Sequence, residues 1–341
     1  MRRIVIQALW VTGATRWFRE RLRKENAVVV LMLHRVLSDA DKAETNSEPT
    51  MIVGDGAYAA MIEHIQRNYR LVDVCAPEIE FSGDKPGLAL TFDDGWIDNF
   101  EALLRGKRER NVPATVFISP TLTGKVCPFW PEQVREILVE ASERELVEEV
   151  EALKPLSPPE RQKRIQQLAR RQGRPEGKGG VVDSTMSWEQ LEELRKAGIS
   201  LASHTMDHEI LTSLKDAALV DRQLTESKRE IEQRWGVCDV LAYPNGGHDE
   251  LVVNRTRAAG YHRAFTVAPG VWTPDTDPLR IPRLNITDGR VTFDGKFSPA
   301  AFEFSVAVRA YRAWRASRTS RAGAAVSAKV PAATRQHNAG D

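Results

Sequence analysis

The run Leu88-Ala89-Leu90-Thr91-Phe92-Asp93-Asp94-Gly95 ends an apolar stretch in two adjacent carboxylates and a glycine. A second patch, His204-Thr205-Met206-Asp207-His208, sets two imidazoles four residues apart just past the apolar run Ile199 to Ala202. Together they supply one carboxylate and two histidines for a divalent ion, with a second carboxylate beside them to act as a base. Three protein ligands leave a coordination position for water, and the ion lowers the pKa of that water toward neutrality. This is the minimum equipment for metal-assisted hydrolysis. Each patch alone has a plainer reading. Asp-Asp-Gly is often a solvated turn. His-x-x-x-His is often two surface residues on one helical face, and Thr205 stands here where a zincin carries glutamate. Their joint occurrence at the ends of apolar runs favours a site.

Both patches need strands to hold them. Ala27 to Leu33 is a continuous apolar run, the mark of a strand buried on both faces, and it ends at His34-Arg35. Helical spacing over 55–70 leads to Leu71-Val72-Asp73-Val74, and Lys85-Pro86-Gly87 turns the chain into the strand Leu88–Phe92. A helix carrying Phe100, Leu103 and Leu104 precedes the strand Ala114 to Ser119. Further on, Ser187 opens a helix that ends at Ala197-Gly198, ahead of the strand Ile199–Ala202. Helices over 216–235 and 249–259 alternate with strands at Val240 to Ala242 and Ala264 to Val267. Such alternation predicts an α/β fold with a parallel sheet and helical crossovers. His34, Asp93, Asp94, His204 and the turn Tyr243-Pro244-Asn245-Gly246 all fall at or just after a strand end. In a parallel barrel those positions share one rim.

Four regions lie outside this alternation. Residues 129–175 read as a helical insertion: a charged amphipathic helix from 129 through Leu153, a break at Pro158-Pro159, then a basic helix over Glu160–Arg171. Its charge predicts a solvated face, with a lid as the alternative. The glycine-rich stretch 177–180 reads as a connector. Residues 1–26 read as a basic amphipathic helix, either docked on the body or lying on a membrane surface. Residues 297–317 read as a C-terminal helix and 318–341 as a disordered tail.

The 341 residues carry a net charge of +1, very unevenly. Residues 1–24 and 309–341 each carry a net +6, which leaves −11 for the chain between them. Basic ends on an acidic body favour anionic lipid headgroups over nucleic acid. Cys75, Cys127 and Cys238 are too few, and too irregularly spaced, for a disulfide framework or a cysteine metal site. No apolar run approaches the roughly 18 residues of a membrane span. The start imitates a signal peptide without a clear cleavage site.

The motifs resemble those of the polysaccharide deacetylases, the NodB-homology group of carbohydrate esterases, over roughly residues 27–290. Thr91-Phe92-Asp93-Asp94-Gly95 is similar to the first motif of that family and His204-Thr205-x-x-His208 to the second. Ala242-Tyr243-Pro244-Asn245-Gly246 is similar to the third, and Leu31-Met32-Leu33-His34-Arg35-Val36 to the opening of the poly-N-acetylglucosamine deacetylase branch. The resemblance implies a distorted parallel (β/α)7-type barrel over 27–296. It implies one divalent ion on Asp94, His204 and His208, zinc being expected and cobalt, nickel or iron the alternatives. It further implies Asp93 as general base and the backbone N–H of Tyr243 as an oxyanion donor. Two features depart from the family: no Leu-x-His motif stands near the C-terminus, and the third motif lacks its arginine. His34 is therefore the candidate proton donor, and Arg283 or Arg280 the candidate partner of Asp93 or of a substrate group. Pro244, Asn245 and Trp96 are candidate substrate contacts.

The reading that follows is a metal-dependent hydrolase that removes N-acetyl or similar small N-acyl groups from amino sugars of a polysaccharide or lipid-linked glycan. Two alternatives remain at this level: an amidohydrolase of small cyclic amides or ureides, and a non-catalytic glycan-binding relative. Expected partners are an N-acetylated glycan or glycolipid and, peripherally, an anionic membrane, with no nucleic acid. The expected place is the cytoplasm, on the inner face of the membrane, with export left open.

Overall fold

The computed structural model describes residues 1–126, 129–174 and 180–327, with side chains placed to Thr319. Its centre is an all-parallel sheet of strands β1 (Val28–Leu33), β2 (Arg70–Leu71), β3 (Gly87–Phe92), β4 (Thr115–Ile118), β5 (Ser200–Ser203), β6 (Val240–Ala242), β7 (Arg263–Phe265) and β8 (Leu284–Asn285). The order is β8-β1-β3-β4-β5-β6-β7, with the short β2 beside the start of β3. Between β7 and β8 the sheet does not form a ladder. A single parallel bridge, Phe265 to Ile281, joins the ends, so the sheet curls into an incomplete barrel. This is the distorted parallel barrel that the alternation and the resemblance predict.

Both faces of the strands are buried, which is why they read as unbroken apolar runs. Alternate residues take opposite sides. Val29, Leu31, Leu33, Leu88, Leu90, Phe92, Val116 and Ile118 pack outward under helices such as Asp55–Asn68 and Trp188–Lys196. Val28, Val30, Ala89, Phe117, Ala202, Val240, Ala242 and Phe265 point into the barrel and meet Trp272 and Ile281 there. Continuing the inward parity along each strand gives His34 after β1, Asp93 after β3 and His204 after β5.

The flanking elements depart from the sequence reading in four places. The N-terminal segment is two helices, Arg2–Val11 and Ala14–Lys24, separated by Gly13 at φ +76°. The segment 129–153 is also two helices, Trp130–Ile137 and Glu143–Leu153, because Ser142 caps the second through a capping box with Glu145. As expected, Pro158-Pro159 separate the preceding helix from the basic one, which runs over Pro158–Gln172 with the prolines in its first turn, where missing N–H groups cost nothing. The insertion also has a small core of its own, in which Val134, Ile137, Leu153, Ile165 and Leu168 are buried together. The C-terminal helix runs past 317, from Pro299 through a π-helical stretch at Phe304–Arg309 and on to Ser327. Residues 177–179 of the connector and the tail from 328 lie outside the described residues. Among the described residues no helix is long and apolar enough to cross a membrane.

Candidate metal centre and its groove

The sheet ladders carry the site residues past the strand ends. The Asp93 N–H donates to Leu33 O (2.9 Å), extending the β1–β3 pairing, and the His204 N–H donates to Ile118 O (2.8 Å), extending β4–β5. Past these points the backbone turns sharply. Asp94 and Gly95 both sit at φ +72°, Thr205 at +65°, His208 at +56° and Asn245 at +54°. Left-handed backbone is costly for residues other than glycine, above all for a β-branched threonine, and such residues cluster at functional sites. Four of the strained residues lie in the loops after β3, β5 and β6. Gly246 is required for a second reason: a Cβ there would lie 2.5 Å from the Val267 side chain and 2.9 Å from its backbone N.

These turns bring Asp94, His204 and His208 together. His204 Nε2 is 3.4 Å and His208 Nε2 3.1 Å from Asp94 Oδ1, and the three donor atoms all lie within 4.8 Å of one another. His204 Nδ1 lies 2.8 Å from Ala242 O, a pairing that assigns the proton to Nδ1 and leaves the Nε2 lone pair facing the cluster. Asp94 Oδ2 accepts from Trp96 Nε1 at 3.0 Å. One carboxylate oxygen and two imidazole nitrogens, with tautomer and carboxylate orientation fixed from behind, fit a divalent first-row ion.

Asp93 faces the same space from the other side. Arg283 holds it with two bonds, Nη1 to Oδ1 at 2.6 Å and Nη2 to Oδ2 at 2.7 Å, inside the barrel. The guanidinium also donates to Thr91 Oγ1 and Thr266 O, so it is fixed before it meets the carboxylate. Burial alone would raise the Asp93 carboxyl. Arg283 and the neighbouring histidines outweigh it and hold the carboxyl below its ordinary range. Asp94 is held well below its ordinary range: burial opposes this, and His208 and His204 prevail. For His204, Asp93 and Asp94 overcome burial and raise the imidazole. His34 Nε2 lies 4.0 Å from Asp93 Oδ2, and its buried Nδ1 has no protein partner. Burial lowers the His34 imidazole despite both carboxylates.

Several sequence assignments are corrected. Trp96 is no sugar platform: it is fully buried, with Arg35 over its ring at 4.2 Å and Phe129 at 4.7 Å. Its role is to orient Asp94. The Tyr243 N–H is not free for an oxyanion, because it donates to Phe265 O at 3.0 Å in the continuation of the β6–β7 ladder. Its hydroxyl bonds Leu279 O, and the whole side chain is buried. Pro244 is buried as the first residue of a tight turn, whereas Asn245 lines the groove. Arg280 pairs with Asp277 (2.6 Å) and Glu250 (2.7 Å), leaving Arg283 as the partner of Asp93.

Other residues at the site were missed. Buried Arg35 ties Asp98 (2.7 Å) to Asp183 (3.0 Å) and stacks on Trp96, so three loops brace Asp94 from behind. Its position next to His34 was the only available signal. Buried Glu132 also lines the groove, and burial, with the Asp94 charge adding to it, pushes its carboxyl up to about 8. The cluster opens into a cavity of about 530 Å³. One wall comes from the insertion, at Trp130, Val147 and Val150, and the other from Leu284, Ile286 and the C-terminal helix. The insertion is therefore a wall of the groove as well as a solvated face.

The curled parallel sheet thus carries an Asp/His/His cluster and a guanidinium-held carboxylate at its rim. Residues 162–264, under a third of the chain, match the family described as polysaccharide deacetylase. YxkH of Bacillus subtilis (strain 168), whose name describes a polysaccharide deacetylase, is 26% identical over 102 residues. That match covers 30% of this chain and about a third, 36%, of YxkH. Among solved structures, the Streptococcus pyogenes deacetylase PplD, in complex with acetate, superposes with a TM-score of 0.54 at 16% identity, over 82% of this chain and 98% of its own. IcaB from Ammonifex degensii gives 0.52 at 17%, over 77% and 93%. BC0361, a polysaccharide deacetylase from Bacillus cereus, gives 0.53 at 18%, over 83% and 69%. At these identities the likeness is one of fold.

Proposed function

We propose that this chain is a divalent-metal-dependent hydrolase that removes N-acetyl or similar small N-acyl groups from amino sugars of a polysaccharide or lipid-linked glycan. The observation that carries the reading is the pairing of two differently held carboxylates. Asp94 faces two imidazoles and Asp93 faces a guanidinium, at one end of a groove. A binding module has no use for a base clamped beside an ion site.

Asp94, His204 and His208 hold the ion, with zinc the first choice and cobalt, nickel or iron tolerated by the same donors. Bound there, it supplies Lewis acidity toward the acyl oxygen and lowers the pKa of water. Arg283 keeps Asp93 ionised and fixed, so Asp93 accepts the proton of the attacking water. His34, kept neutral at rest by burial, lies 4.0 Å from Asp93 Oδ2, so one solvent molecule between them relays that proton to His34, which donates it to the departing amine. Asn245, on strained backbone at the groove edge, positions the sugar. The groove extends from the cluster to Lys154 on one wall and Arg309 on the other, which favours a glycan or glycolipid over a small cyclic amide.

Peripheral membrane contact belongs to the same proposal. Ile4 (74% exposed) and Val11 (81%) stand out from the first helix, while Ile6 and Leu22 bury the opposite side of the helix pair. Exposed apolar residues among arginines favour an anionic bilayer surface, which supports the reading of a peripheral position on the inner face of a membrane. The test of the catalytic reading is acetate release from N-acetylglucosamine oligomers with zinc, cobalt or nickel added. Release that chelator abolishes and metal restores is expected. Release indifferent to chelator, or hydrolysis of cyclic ureides only, would overturn it.

A further inference from the structure

The groove contains a charge arrangement that the hydrolytic chemistry leaves unused. Arg290 and Arg309 both line it, on the wall made by residues 284–313. The other three Lys and Arg residues in the lining have partners: Arg135 pairs with Glu143 at 2.6 Å, Lys154 with Glu151 at 2.5 Å and Arg283 with Asp93 at 2.6 Å. Among the described residues no carboxylate lies within ion-pair distance of Arg290 or Arg309. Arg290 Nη1 donates to Asn285 O at 2.6 Å, which fixes the guanidinium and leaves its remaining donors unassigned. Burial lowers the Arg290 guanidinium, and the like charges of Arg309 and Arg2 lower it further. Arg290 is half-buried and Arg309 exposed beside it, and like charges set together with no counter-charge are unfavourable until an anion joins them.

Two further features sit at the same place. Arg309 ends the π-helical stretch Phe304–Arg309, whose Ser305 also lines the groove and bonds Arg290 O at 2.9 Å. Such π-turns are rare and recur at functional sites. Asn285 lines the groove as well, and its buried Oδ1 accepts no bond from the protein. The wall around these polar groups is apolar, from Leu284, Ile286 and Ala313.

We propose that Arg290 and Arg309 form an anion subsite that receives a phosphate group on the non-reacting side of an amphiphilic N-acyl amino sugar. Guanidinium forks match phosphate oxygens in geometry and charge. The apolar wall takes the chain beside the phosphate, and Asn285 Oδ1 accepts from a sugar hydroxyl. This deepens the hydrolase reading and rests on it for the sugar, but the anion subsite is measurable by itself.

The probes are geranylgeranyl phosphate, N-acetylglucosamine 1-phosphate and inorganic phosphate. Each is titrated by calorimetry into the zinc-loaded full chain and into the chelator-treated chain, where the cluster offers no ion. Each of Arg290→Gln and Arg309→Gln is expected to weaken phosphate-ester binding roughly tenfold in both states, the scale of losing one charge-assisted contact. Arg312→Gln, an exposed arginine outside the groove on the same helix, controls for net charge and is expected to change nothing. Within a positive result, tighter binding of geranylgeranyl phosphate than of inorganic phosphate assigns the phosphate to a lipid carrier, and equal binding assigns it to a soluble ester. No binding by the chelator-treated chain, or binding that ignores both substitutions, overturns the subsite. If neutral oligomers are deacetylated all the same, the subsite alone has failed. If the esters bind through the arginines but no N-acyl sugar is ever hydrolysed, the hydrolase reading has failed instead.

Discussion

Asp93 and Asp94 are chain neighbours with different work, and backbone parity separates them. Asp93 continues the inward row of β3 and so meets Arg283 in the barrel. Asp94, on left-handed backbone, swings toward the two histidines. The lowered carboxyl of Asp93 has a consequence for pH. Replacing Arg283 by methionine leaves the burial cost unopposed by the guanidinium, so the Asp93 pKa rises. The acid limb of kcat/KM is expected to move to higher pH by about one unit or more, read from a pH–rate profile. Stability follows with a definite sign. A carboxyl whose folded pKa lies below its unfolded value stabilises the protein above the unfolded pKa and loses that contribution as pH falls through the folded one. The same variant is therefore expected to lose about 3–5 kcal/mol at neutral pH, in keeping with a broken buried pair, and less in acid. An unmoved acid limb would remove Arg283 from the account.

Strands were the most legible elements, because a parallel strand buried on both faces leaves an unbroken apolar run that loops do not imitate. The ends of those runs located His34, Asp93 and His204 for the same reason. What the sequence did not display was any bond made across elements. Whether Arg280 or Arg283 meets Asp93 depends on the path between β7 and β8. The Tyr243 N–H is consumed by Phe265, a partner on another strand. Trp96 beside the carboxylates reads as available to a sugar, and only the packing of Arg35 and Phe129 against its ring shows that it is buried. The part of the insertion up to Leu153 reads as one helix although Ser142-Glu143-Arg144-Glu145 carries a capping-box pattern, a local signal that divides it. Its separate small core leads to a test. Ile165→Ala empties that core and is expected to cost the insertion about 2–5 kcal/mol. Hydrogen exchange should then quicken in Trp130–Gln172 while the barrel strands keep their protection. Equal loosening of both would mean that the insertion is no separate unit.

At the scale of the whole molecule, the basic N-terminal helices lie against the start of the C-terminal helix, and the charge reading of the sequence gains a physical place there. The N-terminal helix pair packs on the C-terminal helix, where Arg19 pairs with buried Glu303 at 2.8 Å. Removing residues 1–24 would therefore strip Leu22 from the core and confound any membrane assay. The cleaner variant is Ile4→Ser with Val11→Ser, which leaves the buried side of the pair untouched. It is expected to lose most co-sedimentation with anionic phospholipid vesicles while keeping its melting temperature. Unchanged sedimentation would remove the membrane contact. The same orientation would set the groove wall that carries Arg309 near the lipid, where an amphiphilic substrate resides.

The convergence of three ligands on one cation, with a separate base beside them, is tested most directly by measuring metal content and acetate release together in Asp93→Asn and His204→Ala. The account predicts that Asp93→Asn keeps its zinc and loses at least about 10²-fold in turnover, and that His204→Ala loses both. Full turnover in Asp93→Asn, or full zinc in His204→Ala, would contradict it.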